Sequence, residues 1–271
     1  MKLSDWHKLR QGKPRNLDLS RRGPGELTVV TYIYGTKEYV ESHFYEVENA
    51  IRETWFHLGM LPTVIVTNEP TATSIESHRS GFPEWTRVDI CKDLKAGDLY
   101  NYSRDCIANL YKRFSTPYVL FIHPDGFPLR NGIEEFLGKY DYIGSPWSPD
   151  CDDWIGKLLL SQKNFVGNGG FSLRSRKICE ESSRIYKRIG RFIPNIFILY
   201  EDYFITRFLF KFFPHYRNRI SIAPTDVAQT FALETMSATP NHMPLGFHSA
   251  PAFERISSAF QTTNQPAGPT E

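Results

Sequence analysis

The sequence has few cysteines, and none of them are closely spaced. The four in the chain are Cys91, Cys106, Cys151 and Cys179, and no Cys-x-x-Cys pair occurs. Zinc sites usually need such pairs, and disulfide frameworks occur in cysteine-rich secreted chains. The spacing therefore argues against both classes and predicts reduced thiols, as in a cytosolic protein.

Long hydrophobic runs are also absent. No apolar stretch approaches the roughly 20 residues that a membrane-spanning helix needs. The first residues are polar and basic, including Lys2, Lys8 and Arg10, and no apolar segment of the kind found in secretory signals follows them. We therefore expect a soluble, cytoplasmic protein, for which peripheral contact with the inner face of a membrane stays open.

The chain has no large excess of one charge. Its 32 Lys and Arg residues nearly balance 30 Asp and Glu residues, for a net charge of +2. Binding of nucleic acid through bulk electrostatics needs a stronger basic excess, so no nucleic-acid partner is expected. The phosphate-binding pattern Gly-x-x-x-x-Gly-Lys-Ser/Thr is absent as well. Aromatic residues make up 14%, enough for a core and for surfaces that stack on sugar or base rings.

Predicted strands and helices alternate along most of the chain. Residues 1–26 are predicted to form a flexible basic arm, residues 27–260 one domain and residues 261–271 a disordered polar tail. Apolar spacing predicts helices at 38–58, 98–114, 133–137, 175–189 and 202–212, and strands at 27–34, 63–67, 87–90, 142–144 and 171–173. This alternation predicts an α/β fold with a mainly parallel sheet.

A further buried strand leads into the most informative segment, which reads Pro117-Tyr-Val-Leu-Phe-Ile-His-Pro-Asp-Gly126. The aromatic and β-branched run predicts the strand, and Asp125 and Gly126 form a turn at its carboxyl end. A carboxylate at such a strand end is well placed to hold a metal ion or a sugar hydroxyl. The alternative is that Asp125 only serves the turn, since Asp-Gly is common in turns.

Several later segments accompany this turn. They are Tyr140-Asp-Tyr-Ile-Gly-Ser-Pro-Trp147, Val166-Gly-Asn-Gly-Gly-Phe-Ser-Leu-Arg174, Tyr200-Glu-Asp-Tyr-Phe204, Phe231-Ala-Leu-Glu234 and Pro244-Leu-Gly-Phe-His248. In this order they resemble DUF5672, a bacterial and fungal family of uncharacterised glycosyltransferases that looks related to the GT-A nucleotide-sugar transferases. The resemblance covers residues 28–249, and its Gly-Asn-Gly-Gly-Phe-Ser-Leu-Arg block is specific.

The resemblance implies a fold and an activity. The fold is a single GT-A-like α/β domain with a mainly parallel, twisted sheet and helices on both faces. The activity is transfer of a sugar from a nucleotide-sugar donor to a glycan or lipid-linked acceptor in polysaccharide biosynthesis. Asp125 and Gly126 would then bind the donor.

The glycine cluster at positions 167–170 is the second candidate site. Glycine lets the backbone approach a ligand closely, and the Asn168 amide can bond to hydroxyls. The resemblance places Asn168, Gly169 and Gly170 at the donor sugar. The alternative is a tight connection before the next strand.

Two adjacent carboxylates, Glu201 and Asp202, are the catalytic candidates. An inverting transfer needs a base that takes the proton from the attacking hydroxyl, and the resemblance places such a carboxylate here. Of the two, Asp202 is slightly preferred by analogy. Both carboxylates would also stabilise the start of a helix without any catalytic role.

A divalent metal ion, Mg²⁺ or Mn²⁺, is the expected cofactor if one is needed. The resemblance implies a site formed by Asp125 and His248. The usual Asp-x-Asp motif is replaced by His123-Pro-Asp125, which leaves one carboxylate and keeps metal dependence open. Mg²⁺ can bind through few carboxylates because it keeps much of its water shell.

The helix before the key strand carries Asp98, Asn101 and Arg104. The resemblance places this helix near the donor, so that Asn101 would contact it and Arg104 would offset the charge of the diphosphate. A solvated polar face is an equally good explanation, with Asp98 as a helix N-cap.

Two stretches at 184–192 and 207–213 mix basic and aromatic residues. Such mixtures suit contact with anionic lipid headgroups, although a packed amphipathic helix explains them too.

Two other functions remain open at this stage. The chain can be a nucleotide- or carbohydrate-binding module without catalytic activity, which the missing first carboxylate of the Asp-x-Asp motif would suggest. It can also be a sugar nucleotidyltransferase, although these usually carry a glycine-rich loop with a lysine after the first strand. Here that place holds only Tyr34-Gly-Thr-Lys37.

Overall fold

Six strands form one sheet in the order β3-β2-β1-β4-β6-β5. The computed structural model describes residues 1–11, 16–78, 81–147, 166–234 and 242–261. The strands of the sheet are β1 Leu27–Tyr32, β2 Thr63–Thr67, β3 Thr86–Ile90, β4 Tyr118–Ile122, β5 Tyr142–Gly144 and β6 Phe171–Ser175. Two further short strands, β7 Ala232–Leu233 and β8 Gly246–Phe247, pair in parallel with each other.

The four strands β1 to β4 are parallel, whereas β6 runs antiparallel to both β4 and β5. Every residue of β1 and β2 is buried, which explains their continuous apolar and β-branched sequences. Helices flank the sheet. The predicted α/β fold with a mainly parallel sheet is confirmed.

The helices follow the predicted order, with additions. They are α1 Leu3–Arg10, α2 Lys37–Leu58, α3 Glu69–Ser77, α4 Leu99–Ala108, α5 Arg176–Ile189, α6, α7 Pro214–Arg219, α8 Thr225–Phe231 and α9 Ala250–Gln261. Helix α6 consists of Glu201–Tyr203, a π-helical stretch Phe204–Phe208 and Leu209–Phe212. Short 3₁₀ turns lie at Leu110–Lys112, Ile133–Glu135, Gly190–Phe192 and Asn195–Phe197. Among the described residues, no helix has both the length and the apolar character needed to cross a membrane.

Helix α2 illustrates why the apolar spacing was a reliable guide. The Thr36 hydroxyl accepts a hydrogen bond from the Tyr39 N–H and caps the first turn. Gly59 ends the helix with φ 85°, a conformation that favours glycine. Between these ends, Val40 and Phe44 belong to a buried stripe along one face.

The N-terminal segment differs from the predicted flexible arm. Residues Leu3–Arg10 form a helix in which Leu3 and His7, one turn apart, are both buried. The Trp6 ring stacks on Phe127 at a centroid distance of 5.0 Å. The short helix has too few apolar residues to be recognised from their spacing, and its order comes from contacts with distant parts of the chain. The predicted tail at 262–271 lies outside the described residues, and the domain limits 27–260 stay a prediction.

The strand order places a topological switch between β1 and β4. From β1 the chain builds outward through β2 and β3, and then returns to add β4 on the other side of β1. In α/β sheets, ligands bind at the carboxyl ends of the two strands that flank such a switch. The fold therefore directs attention to the segments that follow Tyr32 and Ile122.

Candidate active site

The segment after β4 forms a tight turn with Asp125 at its tip. The His123 N–H donates to the Gly126 carbonyl at 3.1 Å, and the Gly126 N–H donates back to the His123 carbonyl at 3.0 Å. Pro124 occupies the second position of the turn, which its fixed φ favours. The turn therefore holds the Asp125 side chain, about half exposed, beyond the end of the buried strand.

His248 approaches this turn from the strand β8. Its Nε2 lies 3.7 Å from Asp125 Oδ1, and its Nδ1 lies 2.9 Å from Glu234 Oε2. Since a carboxylate only accepts, Nδ1 donates to Glu234, and Nε2 is the nitrogen that faces Asp125. The next residue, Ser249, has φ 88° and donates its N–H to the Asp125 carbonyl at 2.7 Å. This left-handed backbone bends the chain around the turn and fixes His248 beside Asp125.

His123 completes a three-residue cluster. Ligand atoms of His123, Asp125 and His248 all lie within 4.8 Å of one another. His123 Nε2 is also 2.9 Å from the Tyr102 hydroxyl. Two imidazoles and one carboxylate at this spacing fit a divalent cation. The structure therefore brings Asp125 and His248 together and adds His123, which sequence reasoning treated only as the loss of a carboxylate.

The two histidines of the cluster have opposite pKa shifts. Burial, reinforced by the nearby charge of His248, lowers the pKa of His123 to about 4. Burial also acts to lower the pKa of His248, but the hydrogen bond to Glu234 and the charges of Asp125 and Glu234 outweigh it and raise this pKa to about 8. Near neutral pH, His123 is therefore an uncharged imidazole, as a metal ligand must be, whereas His248 carries a proton that a binding ion has to displace.

The glycine loop at 167–170 fits between this cluster and α6. A β-carbon added to Gly170 would lie 2.0 Å from His248 Nε2, and one added to Gly169 would lie 2.5 Å from Glu201 Oε1. Asn168 Oδ1 accepts a hydrogen bond from the Gly170 N–H and shapes the loop. A β-carbon on Gly126 would come within 2.8 Å of the Gly170 carbonyl oxygen. The glycines are therefore needed for close packing of three chain segments.

We expect Gly170→Ala to lower any metal-dependent turnover by about 10²-fold, the effect typical of a displacement near 1 Å at a reacting centre. The new methyl group would force the His248 ring away from Asp125. Steady-state turnover and Mn²⁺ affinity are the measurements. Gly25→Ala is the matched control, because nothing lies within 4 Å of its added β-carbon. Equal turnover in the two variants would contradict this explanation.

The carboxylates Glu201 and Asp202 have different environments. Glu201 is buried and accepts a hydrogen bond at 2.9 Å from Arg174, whose side chain is fully buried. Asp202 is half-buried and accepts from the backbone N–H groups of Gly169 and Tyr203 at 3.0 and 2.8 Å. Burial, followed by the charge of Glu201, raises the pKa of Asp202 to about 7. Glu201 therefore pairs with a buried cation, whereas Asp202 has a pKa that suits a proton acceptor.

Three aromatic side chains form a cluster around Tyr203, the residue that follows Asp202. The Trp147 and Tyr203 rings are 4.4 Å apart between centroids, and Tyr200 lies 5.9 Å from Tyr203. Tyr200 is largely exposed. Sugar rings commonly pack on exposed aromatic faces of this kind, so this cluster is a candidate binding platform.

A cavity of about 580 Å³ opens at the carboxyl ends of β1 and β4. Its walls come from the loop after β1, from α2, from the start of α4 and from the Asp125 turn, and they include Tyr34, Gly35, Thr36, Tyr39, His43, Glu46, Tyr102, His123 and Pro124. Tyr34 and Tyr102 stack at 5.8 Å, so aromatic faces line the cavity. No motif of the sequence predicted this cavity, although the tyrosines at the end of the first strand were a visible signal.

The predicted donor contacts of Asn101 and Arg104 stay a prediction. Asp98 caps α4 by accepting from the Asn101 N–H, and Arg104 pairs with the exposed Asp93 at 2.7 Å. Neither Asn101 nor Arg104 lines the cavity, whereas Tyr102 from the same helix does. The reason is the helical repeat, since residues one to two positions apart point about 100–200° away from each other.

Helix α1 supports the Asp125 turn from below. His7 Nε2 lies 3.0 Å from the Pro124 carbonyl oxygen, and because a carbonyl only accepts, Nε2 carries the proton. Asn49 Nδ2 lies 3.4 Å from the other ring nitrogen. Burial lowers the pKa of His7, which keeps the ring neutral in this arrangement. The helix is therefore an integral part of the site.

We expect His7→Ala to weaken Mn²⁺ binding by about tenfold, the lower end of the effects seen for groups that orient metal ligands. Loss of the hydrogen bond would leave the Pro124 carbonyl unsatisfied and the turn less ordered. Lys8→Ala, at an exposed neighbouring position, is the control. The two variants should differ in the Mn²⁺ concentration for half-maximal binding, and equal values would contradict a supporting role for His7.

Comparisons with known proteins complete this description. The sequence profile of the family described as "Protein of unknown function (DUF5672)" matches residues 97–248. No curated protein matches the chain. The fold is similar to that of galactosyltransferase LgtC, solved in complex with donor and acceptor sugar analogs, with a TM-score of 0.50 at 10% identity over 89% of this chain and 98% of that chain. It is also similar to mouse xyloside xylosyltransferase 1 in its apo form, with a TM-score of 0.51 at 10% identity over 82% of this chain and 97% of that chain. These likenesses show the GT-A glycosyltransferase fold.

Proposed function

This chain belongs to the DUF5672 family, and we propose that it is a glycosyltransferase that moves a sugar from a nucleotide-sugar donor to a glycan or lipid-linked acceptor. One observation carries the proposal: His123 of the cluster with Asp125 and His248 lines an aromatic cavity, and Asp202 lies across the glycine loop from the cluster. The GT-A fold agrees with this activity but does not by itself assign it.

The cavity is the proposed site of the nucleotide. Its volume of about 580 Å³ suits a small-molecule ligand. Tyr34, Tyr39 and Tyr102 supply faces on which a base and a ribose can pack. The diphosphate would then extend toward His123 and Asp125, at the end of β4.

His123, Asp125 and His248 are the residues proposed to hold a divalent ion. Mg²⁺ prefers oxygen ligands, whereas imidazole nitrogens suit transition metals, so two histidines favour Mn²⁺ of the two expected ions. When bound, such an ion supplies positive charge that offsets the charge of a diphosphate leaving group. Glu234 keeps His248 in the orientation that faces Asp125.

Asp202 is the residue proposed to engage the acceptor hydroxyl. It is half-buried and its pKa is raised to about 7, which suits a proton acceptor working near neutral pH. The backbone N–H of Gly169 holds its carboxylate beside the loop where the donor sugar would lie. Trp147, Tyr200 and Tyr203 are proposed to position the acceptor sugar. Building of a polysaccharide is the proposed role.

The two alternative functions are less well supported. The binding-module hypothesis began from the missing first carboxylate, and His123 now offers a ligand atom in its place. The nucleotidyltransferase hypothesis needs a lysine at the phosphates. Lys37 instead has a largely exposed side chain, 3.7 Å from Glu41, and does not line the cavity.

A panel of nucleotide sugars tests the proposal. We expect release of UDP or GDP from at least one donor in the presence of Mn²⁺, and loss of that release when EDTA is added. Nucleotide binding without release from any donor would indicate the binding module. Pyrophosphate release from a nucleoside triphosphate and a sugar phosphate would indicate the nucleotidyltransferase.

A further inference from the structure

A basic-aromatic surface shares helix α6 with the proposed acceptor site. It is formed by the second half of α5, the 3₁₀ turn Gly190–Phe192, the end of α6 and α7. Its basic residues are Arg184, Lys187, Arg188, Arg191, Lys211, Arg217 and Arg219. Helix α6 joins the two regions, because Asp202 lies in its first turn and Lys211 and Phe212 lie in its last turn.

The charge of this surface is one-sided. Residues 182–200 and 203–224 contain eight Lys and Arg residues and no Asp or Glu, although the whole chain is nearly balanced. Of the eight, Arg207 is buried and the other seven belong to the surface. Glu181 pairs with both Arg184 and Arg219, so one carboxylate serves two guanidinium groups. The surface therefore keeps a net positive charge.

Large apolar side chains are exposed among these cations. Phe192 is 71% exposed and Phe212 is 50% exposed. The Arg191 guanidinium lies 4.5 Å from the centre of the Phe192 ring, and the Lys211 ammonium lies 5.8 Å from that of Phe212. Aromatic residues next to basic ones, both facing outward, are typical of proteins that insert partly into the headgroup region of a bilayer.

A slot of about 400 Å³ separates α5 from α7 within the same surface. Its floor consists of Ile185, Ile189, Phe213 and Tyr216, and Arg184, Arg188 and His215 lie around its opening. An apolar floor under a basic opening matches a molecule with an anionic head and a hydrocarbon chain. A nucleic acid would bind through the basic side chains alone, and its binding would give the apolar floor of the slot no role.

We propose that the basic-aromatic surface docks on an anionic lipid bilayer, with Phe192 and Phe212 among the headgroups. The proposal extends the glycosyltransferase function proposed above, since docking would present Tyr200 and Asp202 to the sugar of a lipid-linked acceptor. The binding itself requires neither donor nor catalysis, so it can be tested separately from that function.

Sedimentation with vesicles tests the proposal. We expect the full-length protein to sediment with vesicles of phosphatidylcholine and phosphatidylglycerol in equal parts, and not with phosphatidylcholine alone. Binding should weaken strongly in high salt. Each cationic side chain near an anionic bilayer contributes about fivefold in affinity, so Arg188→Glu/Arg191→Glu should bind at least about tenfold more weakly. Phe192→Ser/Phe212→Ser should lose the part of binding that survives in high salt.

The matched control is Lys8→Glu/Lys139→Glu, which makes the same change in net charge at exposed positions outside the surface. Because these positions lie outside the surface, the control should bind vesicles with an affinity within about twofold of that of the parent. Thermal unfolding and donor hydrolysis should be unchanged in the surface variants. Absence of vesicle binding by the parent, or equal binding by surface and control variants, would overturn the proposal. Self-association that the surface variants abolish, without any vesicle binding, would assign the surface to a protein contact instead.

Discussion

We expect Asp202→Asn to lower the rate of sugar transfer by about 10²–10⁴-fold, the contribution of a well-placed general base. The amide keeps the size and shape of the side chain but cannot take a proton from the acceptor hydroxyl. Its single oxygen can still accept the hydrogen bond from the Gly169 N–H, so the loop should keep its conformation, although the bond from the Tyr203 N–H is then lost. The measurements are transfer to an acceptor, slow hydrolysis of the donor and thermal unfolding.

Glu201→Gln is the matched comparison, because the neighbouring carboxylate has a different environment. Its partner, Arg174, is fully buried and also lies 4.5 Å above the Phe121 ring. Removing the charge of Glu201 would leave this guanidinium poorly compensated, at a cost of up to about 3–5 kcal/mol in the free energy of unfolding. Glu201→Gln should therefore reduce Tm, whereas Asp202→Asn should reduce transfer. If both variants transfer sugar at the parent rate, neither carboxylate is the base, and Glu234 becomes the next candidate.

The same assignment predicts a pH dependence. The pKa of Asp202 is raised to about 7, so its carboxyl takes up a proton as the pH falls through that value. A protonated carboxyl cannot act as the base, and the parent enzyme should lose transfer activity below about pH 7. A profile of transfer rate at saturating donor and acceptor measures this. A rate that stays constant down to pH 5 would contradict the role of Asp202.

Asp125→Asn should lower metal-dependent donor turnover by about 10²–10³-fold, the effect typical of removing one group that stabilises developing charge. Asp125 is about half exposed, and the hydrogen bonds of the turn join the backbones of His123 and Gly126, so the free energy of unfolding should change little. Direct titration with Mn²⁺ and the rate of nucleotide release are the measurements.

Glu234→Gln provides a graded comparison for the metal site. Glu234 orients His248 without being one of the three clustered residues, so its loss should weaken Mn²⁺ binding by about 10–100-fold. Asp125→Asn should therefore lower metal-dependent turnover more than Glu234→Gln does. A large loss of stability in Asp125→Asn, together with normal turnover, would instead indicate that Asp125 only serves the turn.

Much of the architecture followed from local sequence patterns. The apolar stripe of α2 and its Gly59 end predicted a helix at 38–58, within one residue of the observed Lys37–Leu58. The continuous apolar run before His123 defined β4 in the same way. Helix α1 escaped notice because its burial depends on Phe127 and Pro124, more than a hundred residues away.

The sequence by itself determined the mainly parallel sheet, the Asp125 turn at the end of a buried strand, and the segments that carry the glycine loop, Asp202 and His248. The sheet and the turn depend on the periodicity and turn chemistry of neighbouring residues, which a sequence displays directly, whereas the three segments were indicated by the resemblance to DUF5672. Only the tertiary structure decided that His123 lies beside Asp125 and His248. It also decided that Arg174 forms an ion pair with Glu201, whereas Asp202 bonds to the glycine loop. Those outcomes depend on distances between β4, α6 and β8, and such distances are set by packing between segments far apart in the chain.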